Sequence, residues 1–299
     1  MANDPRTWLE KGDKFLSLEM FKEAARCYNE AIKLNFQNKF LWYKKAEALL
    51  ELKLFKEALD CCSQAIEMDP YYDKAWFKKG FIFMKMGKFG EAVECYDKAI
   101  KINPDDDLNY YYCKADALFE LEKFEESIMC LDYAISINSE IEELWILRGV
   151  IKGTLKEYKD AKSCFEKALK MNPKSASLWH LKGITLRSLG KWKYALKCYE
   201  KALEINPDDA DYWRDKGEIL FFKKKRYNDA LKCFEKALQI NPNNPEDLIW
   251  KGNCLSALNK TEDAQKCFDK ATALRKACGS TKTSTSDESE EGTRVYGPN

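Results

Sequence analysis

The chain has 299 residues, 45% hydrophobic and 33% charged, and its 50 Lys and Arg against 49 Asp and Glu leave a net charge of +1. That balance supplies no global field to steer the molecule toward nucleic acid or an anionic membrane. No apolar run approaches the roughly 20 residues that span a bilayer, and the opening MANDPRTWLEKGDKF lacks a signal peptide's apolar core, so a soluble, cytoplasmic protein with no membrane partner is expected. Twelve cysteines in a long chain without a secretion signal read as reduced thiols, because disulfide frameworks belong to short secreted domains.

Length alone allows about two ordinary domains. Instead of a compositional break, the sequence repeats itself: ALKCYEKALEINPDD at 195–209 returns as ALKCFEKALQINPNN at 230–244, with 11 of 15 letters unchanged. Self-similar blocks run over about 5–38, 39–72, 73–107, 108–141, 142–175, 176–209, 210–244 and 245–278, starting 34 or 35 residues apart.

Taken in order, the first block carries Ala24, Cys27, Tyr28 and Ala31, whose spacing draws one stripe on a helix. The second and third carry Trp42, Ala46, Leu49 and Trp76, Gly80, Phe83, a step of four then three that predicts an earlier helix in each block. The fourth departs, with Tyr111 in the Trp slot, Ser127 in an Ala slot and Ser139 where proline is expected; the fifth has Lys152 and Gly153 in place of an apolar pair. Looser packing between these two blocks is the expectation. The sixth block restores the pattern with Trp179, Gly183, Leu186 and then Ala195, Cys198, Tyr199, Ala202. The seventh has Trp213, Gly217, Leu220 and one extra residue in FFKKKRYNDA, which predicts a longer turn between intact helices. Turns such as MGKFG and LGKWK separate the two helices, and NPDD, NPKS or DPYY closes a block where proline cannot continue the helix.

These residues resemble the tetratricopeptide repeat (TPR) family, whose signature is a Trp, a small residue, an aromatic, then Ala, an aromatic, Ala and Pro across about 34 residues. The resemblance covers 5–278. It implies an all-α fold, an α-solenoid in which eight helical hairpins stack into a right-handed superhelix. One hairpin cannot bury its own apolar face, so the same packing residues recur because the same interface recurs.

A cysteine stands just before the second helix's aromatic slot in every block: Cys27, Cys61, Cys95, Cys130, Cys164, Cys198, Cys233 and Cys267. Lying on the apolar stripe, it reads as a small buried hydrophobe. Packed helices sit roughly 8 to 10 Å apart, whereas a disulfide needs Cα atoms within about 7 Å, so stacked equivalents are not expected to bridge. With no Cys-x-x-Cys pair and His180 as the sole histidine, a zinc site is not expected either. No histidine-based triad, Walker loop or dinucleotide fingerprint is present, so the sequence points to no catalytic residue, no cofactor and no enzyme.

The resemblance implies that the first helices line a concave groove for an extended peptide or a partner helix, the work of a non-catalytic scaffold or adaptor. Carried over by register, the groove slots hold Tyr43, Phe77, Phe81, Met84, Tyr112, Phe119, Ile146 and Val150, with Glu47, Glu51, Asp116 and Glu120 among them. An apolar, aromatic groove with an acidic border suits a peptide with apolar anchors and basic residues. Equally, some of these aromatics could pack on the next first helix. His180, Arg187, Arg214 and Glu218 make the later slots polar and mixed in charge.

TPR co-chaperones that hold acidic chaperone tails use a Lys and Asn, then an Asn, then a basic pair on three successive repeats. Lys74 and Lys78 fit the basic pair, but the other slots hold Leu9, Asp13 and Lys44, and an Asp repels a peptide carboxylate. A co-chaperone-like protein without that clamp remains an alternative. So does a self-assembling array, since little polar capping precedes the first block or follows the last. The tail 279–299 is polar and is expected to be disordered, with Ser284, Thr285, Ser286 and Ser289 in an acidic setting that suits phosphorylation.

Overall fold

The computed structural model describes residues 4–34, 38–104 and 108–280. The expectations for the tail and its Ser284, Thr285, Ser286 and Ser289 lie outside them. Among the described residues sixteen helices follow in pairs: α1 (Pro5–Ser17) and α2 (Phe21–Lys33), α3 (Lys39–Glu51) and α4 (Phe55–Met68), α5 (Asp73–Lys85) and α6 (Phe89–Ile102), α7 (Asn109–Glu120) and α8 (Phe124–Ile137). The later pairs are α9 (Glu142–Thr154) and α10 (Tyr158–Met171), α11 (Ala176–Ser188) and α12 (Trp192–Ile205), α13 (Ala210–Phe222) and α14 (Tyr227–Ile240), α15 (Pro245–Ala257) and α16 (Thr261–Ser280). There is no strand among the described residues. The fold is an all-α solenoid whose chain divides into two compact units, Met1–Leu144 and Trp145–Asn299, with the division inside the first turn of α9.

Helix ends follow from the sequence chemistry. Asp4 and Asn244 cap α1 and α15 by accepting from Arg6 N at 2.9 Å and Glu246 N at 2.8 Å, and a proline occupies the first helical position of each. Ser175 and Asp209 do the same for α11 and α13, so the segment that ends one block also starts the next.

Within every pair, one turn residue adopts left-handed backbone: Glu19, Lys53, Gly87, Glu122, Lys156, Gly190, Lys225 and Asn259, with φ between 50 and 72°. Around Lys53, Leu54 N donates to Leu49 O at 2.9 Å and Lys53 N to Leu50 O at 2.8 Å, a paired closure of the helix end. Only two of the eight residues are glycine, although this conformation costs other L-residues roughly 1–2 kcal/mol. In the seventh pair the extra residue moves the closing bond to Arg226 N and Leu220 O, 3.0 Å, and both helices stay intact.

Packing within a pair depends on one small residue. A Cβ on Gly80 would lie 2.7 Å from the Tyr96 ring, and one on Gly183 would lie 2.4 Å from Tyr199, so the ring of the second helix rests on the bare backbone of the first. Where alanine takes that place, at Ala46 and Ala115, the residue sixteen positions on is Cys62 or Leu131 and not an aromatic. Ser127 is fully buried, and its hydroxyl donates to Ala115 O at 2.6 Å, which satisfies the polar atom in an alanine slot.

Successive pairs are clasped by tryptophan. The indole N–H of Trp76 donates to Pro70 O at 3.1 Å, Trp179 to Pro173 O at 3.0 Å and Trp213 to Pro207 O at 2.8 Å. Proline thus ends one helix and offers the carbonyl that holds the next. The ladder cysteines are buried at Cys27, Cys61, Cys95, Cys164, Cys198 and Cys233 and half-buried at Cys130 and Cys267. Burial pushes the Cys61 and Cys95 thiols up to about 11, which keeps them protonated at neutral pH.

Candidate binding surface

In the first unit the first helices lie side by side, α1 on α3, α3 on α5 and α5 on α7. Three of them carry eight of the residues singled out in the sequence: Tyr43 and Glu47 on α3, Phe77, Phe81 and Met84 on α5, and Tyr112, Asp116 and Phe119 on α7. All eight are half-buried. Rings pack on their neighbours and still keep an exposed part. Tyr43 meets the edge of Tyr72 at 5.6 Å, and Phe77 stacks on Tyr110 at 4.7 Å and leans on Tyr96 at 5.6 Å. Burial raises the phenols of Tyr43 and Tyr112 to about 12, so both remain neutral donors at physiological pH.

Lys78 Nζ donates to Glu47 Oε1 at 3.1 Å and sits 5.3 Å over the Tyr43 ring, which fixes it between α3 and α5. Lys85 lies 5.1 Å over Phe81. Asp116 has no ion-pair partner among the described residues; burial first, then the nearby Glu120, pushes its carboxyl above the ordinary range, with Lys85 opposing. Two of the clamp slots are already engaged: Lys78 pairs with Glu47, and Asp13 accepts from the Tyr28 hydroxyl at 2.9 Å.

Ile146 and Val150 belong to the second unit, on α9. Ile146 is half-buried, but Val150 departs from the groove expectation and is buried, 8% exposed. The reason is that α9 is apolar on more than one side: Leu144, Trp145, Leu147 and Ile151 are buried too, so spacing alone could not tell groove from core.

The second unit's first helices carry an ion-pair network instead. His180 Nε2 lies 2.7 Å from Asp215 Oδ2, and Arg187 Nη1 donates to Asp215 Oδ1 at 2.8 Å and Glu218 Oε2 at 2.9 Å. Arg214 grips Asp247 through two bonds of 2.6 and 3.0 Å and also pairs with Asp211. Hydrogen bonding to His180 and the charge of Arg187 overcome desolvation and hold the Asp215 carboxyl below the usual range; at Glu218 desolvation outweighs Arg187 and the carboxyl rises. Sequence reasoning singled out His180, Arg187, Arg214 and Glu218 but missed Asp215 and Asp247. Their signal was available: each stands 33 or 35 positions, one repeat, beyond its partner.

No group of three or more His, Cys, Asp or Glu among the described residues could hold a metal ion, and no described helix is long and apolar enough to cross a membrane.

No curated protein matches the chain. Among solved structures, a tetratricopeptide repeat protein from Parabacteroides merdae matches with TM-score 0.64 and 15% identity over 90% of this chain and 98% of its own. YrrB, described as a TPR protein with an unusual peptide-binding site, matches with TM-score 0.54 and 21% identity over 67% of this chain and 99% of its own. MamA matches with TM-score 0.53 and 21% identity over 58% and 94%. At these identities the likeness is one of fold. Tetratricopeptide repeat family profiles match residues 73–106, 176–209 and 219–244, and further profiles of that description match 233–266, 142–175 and 9–73. Together with the paired helices and their recurring Trp, Gly and Pro contacts, these matches establish that the chain belongs to the tetratricopeptide repeat family.

Proposed function

We propose that the chain is a non-catalytic interaction scaffold whose first-unit face, on α3, α5 and α7, receives a segment of a partner protein with apolar anchors and a basic residue. The observation that carries this reading is Asp116, an unpaired and desolvated carboxylate set among half-exposed aromatic rings. Desolvation makes such a carboxylate costly alone and favourable once a cation arrives. Half-buried Tyr43, Phe81, Tyr112 and Phe119 supply apolar surface that an incoming side chain would remove from water, at about 25 cal/mol per Å². Membership of the repeat family supports the scaffold role, and YrrB is a relative in fold described as having a peptide-binding site. Chaperone-tail capture has less support, because Lys78 is already occupied by Glu47.

The test compares proteins captured from lysate by the wild type and by a Tyr43→Ala, Phe81→Ala, Tyr112→Ala variant of equal helicity. The reading expects a specific protein to be lost from the variant's set and to be lost again with Asp116→Lys, which reverses the charge. Retention by both variants overturns it.

A further inference from the structure

A separate cavity of about 450 Å³ lies in the second unit, between α10, α11 and α12. Its apolar wall is made by Trp179, Leu186 and Tyr194, and four lysines line it against one carboxylate, Glu166. The wall is held in place, since Leu186 is buried and the Trp179 indole donates to Pro173 O. Glu166 is already occupied by two of the lysines, Lys162 at 2.8 Å and Lys182 at 3.1 Å. Lys191 and Lys197, three positions to either side of Tyr194, have no ion-pair partner among the described residues. Register explains why. In the other seven repeats the position of Tyr194 holds Glu or Asp. There the acid takes a cation three residues before it, as in Glu91 with Lys88 at 3.8 Å, Glu126 with Lys123 at 3.7 Å and Asp229 with Arg226 at 2.6 Å, or three residues after it, as in Asp263 with Lys266 at 3.2 Å. Tyr194, 60% exposed, puts an aromatic ring where that acid stands, so one residue both releases two cations and widens the apolar wall.

We propose that this pocket binds a short acidic segment of a partner protein, with one apolar side chain against Trp179, Leu186 and Tyr194 and flanking Asp or Glu carboxylates on Lys191 and Lys197. Charge complementarity selects an anion, and the apolar wall selects one with an uncharged anchor between its charges. A nucleic-acid strand fits less well. The acid returns at the Tyr194 position in the repeats on either side, as Asp160 and Asp229, so the free cations form an island, whereas a phosphodiester chain carries a charge at every nucleotide and would run past it. The chain's own acidic run, Asp287 to Glu291, contains no apolar residue to serve as the anchor.

The experiment uses the full chain and a labelled peptide with one leucine flanked on each side by glutamates, read by fluorescence anisotropy. Binding is expected to saturate and to weaken as salt is raised. It should fall at least about tenfold when lysines replace the peptide's glutamates, and it should also fall when serine replaces the leucine. Tyr194→Glu installs the residue type of the other repeats, so circular dichroism should be unchanged while binding drops by about tenfold or more. Lys191→Ala with Lys197→Ala, both at exposed positions, should weaken it by a similar factor. Tyr43→Ala should leave it intact, which separates this proposal from the α3, α5 and α7 reading. Equal binding by Tyr194→Glu and by the double lysine variant, or no saturable binding by the wild type, overturns the proposal. So does an undiminished affinity for the serine peptide, or displacement of the leucine peptide by a single-stranded oligonucleotide at lower concentration, since the site then takes polyanions of another class.

Discussion

The first helices of the two units share a scaffold and use it in opposite ways. On α3, α5 and α7 the half-buried Tyr43, Phe77, Phe81, Tyr112 and Phe119 are aromatic and Asp116 has no ion-pair partner among the described residues, whereas on α11, α13 and α15 Arg, Asp, Glu and His are bonded to one another. Surface satisfied within its own repeats gains little from a ligand; surface left half-satisfied gains more. Similar backbone therefore carries one face whose charges tie neighbouring repeats together and another whose aromatic rings keep an exposed part.

The sharpest way to break that contrast is to unpair the network. Asp247 is fully buried, so Arg214→Met strands its carboxylate and should cost about 3–5 kcal/mol by urea unfolding. Adding Asp247→Leu should restore most of the loss, because the desolvated charge goes too. Tyr112→Ala, on the half-exposed face, should cost about 1 kcal/mol.

Next in size is the ring seat that both units share. Gly80→Ala and Gly183→Ala drive a Cβ into Tyr96 and Tyr199 and should each cost about 2 kcal/mol. Tyr96→Leu should rescue Gly80→Ala, since the fourth repeat combines Ala115 with Leu131.

Acid should move the two faces in opposite directions. The Asp215 carboxyl is held below its ordinary 3.8, so its contribution is present above that pH and lost as pH falls through the lower folded value. Asp116 is raised above 3.8, so its charge costs stability at neutral pH, and the cost is relieved as pH falls through the raised folded value. Asp215→Asn should therefore destabilise at neutral pH and Asp116→Asn should stabilise. Both differences should shrink on acidification, as read from unfolding midpoints along a pH series.

The smallest effect lies in the turns. Lys53→Gly and Lys156→Gly remove left-handed strain, offset in part by glycine's chain entropy, and each should stabilise by about 0.5 kcal/mol; Gly190→Ala should do the reverse.

Helix positions were legible in the sequence because apolar spacing, proline and capping residues all point the same way, as around Asn244 and Pro245. The turn conformation was not, since Glu19, Lys53, Glu122, Lys156 and Lys225 adopt a backbone that their side chains do not advertise, and only Gly87, Gly190 and Asn259 hint at it. On the candidate face, register placed Tyr43, Phe81 and Tyr112 on neighbouring helices but could not reveal that Lys78 is tied to Glu47. It also could not separate Ile146 from Val150, because depth on an all-round apolar helix depends on what packs over it.

The tryptophan clasp also bears on how such a chain lengthens. A block that ends in proline carries the acceptor for the tryptophan that follows, and it brings its own tryptophan for the carbonyl before it, as at Pro173 with Trp179 and Pro207 with Trp213. An in-frame duplication of one block therefore arrives with both halves of the joint. Copying does not have to wait for compensating changes next door, and a joint of this kind lets segments as alike as 195–209 and 230–244, with 11 of 15 letters in common, stand in successive blocks.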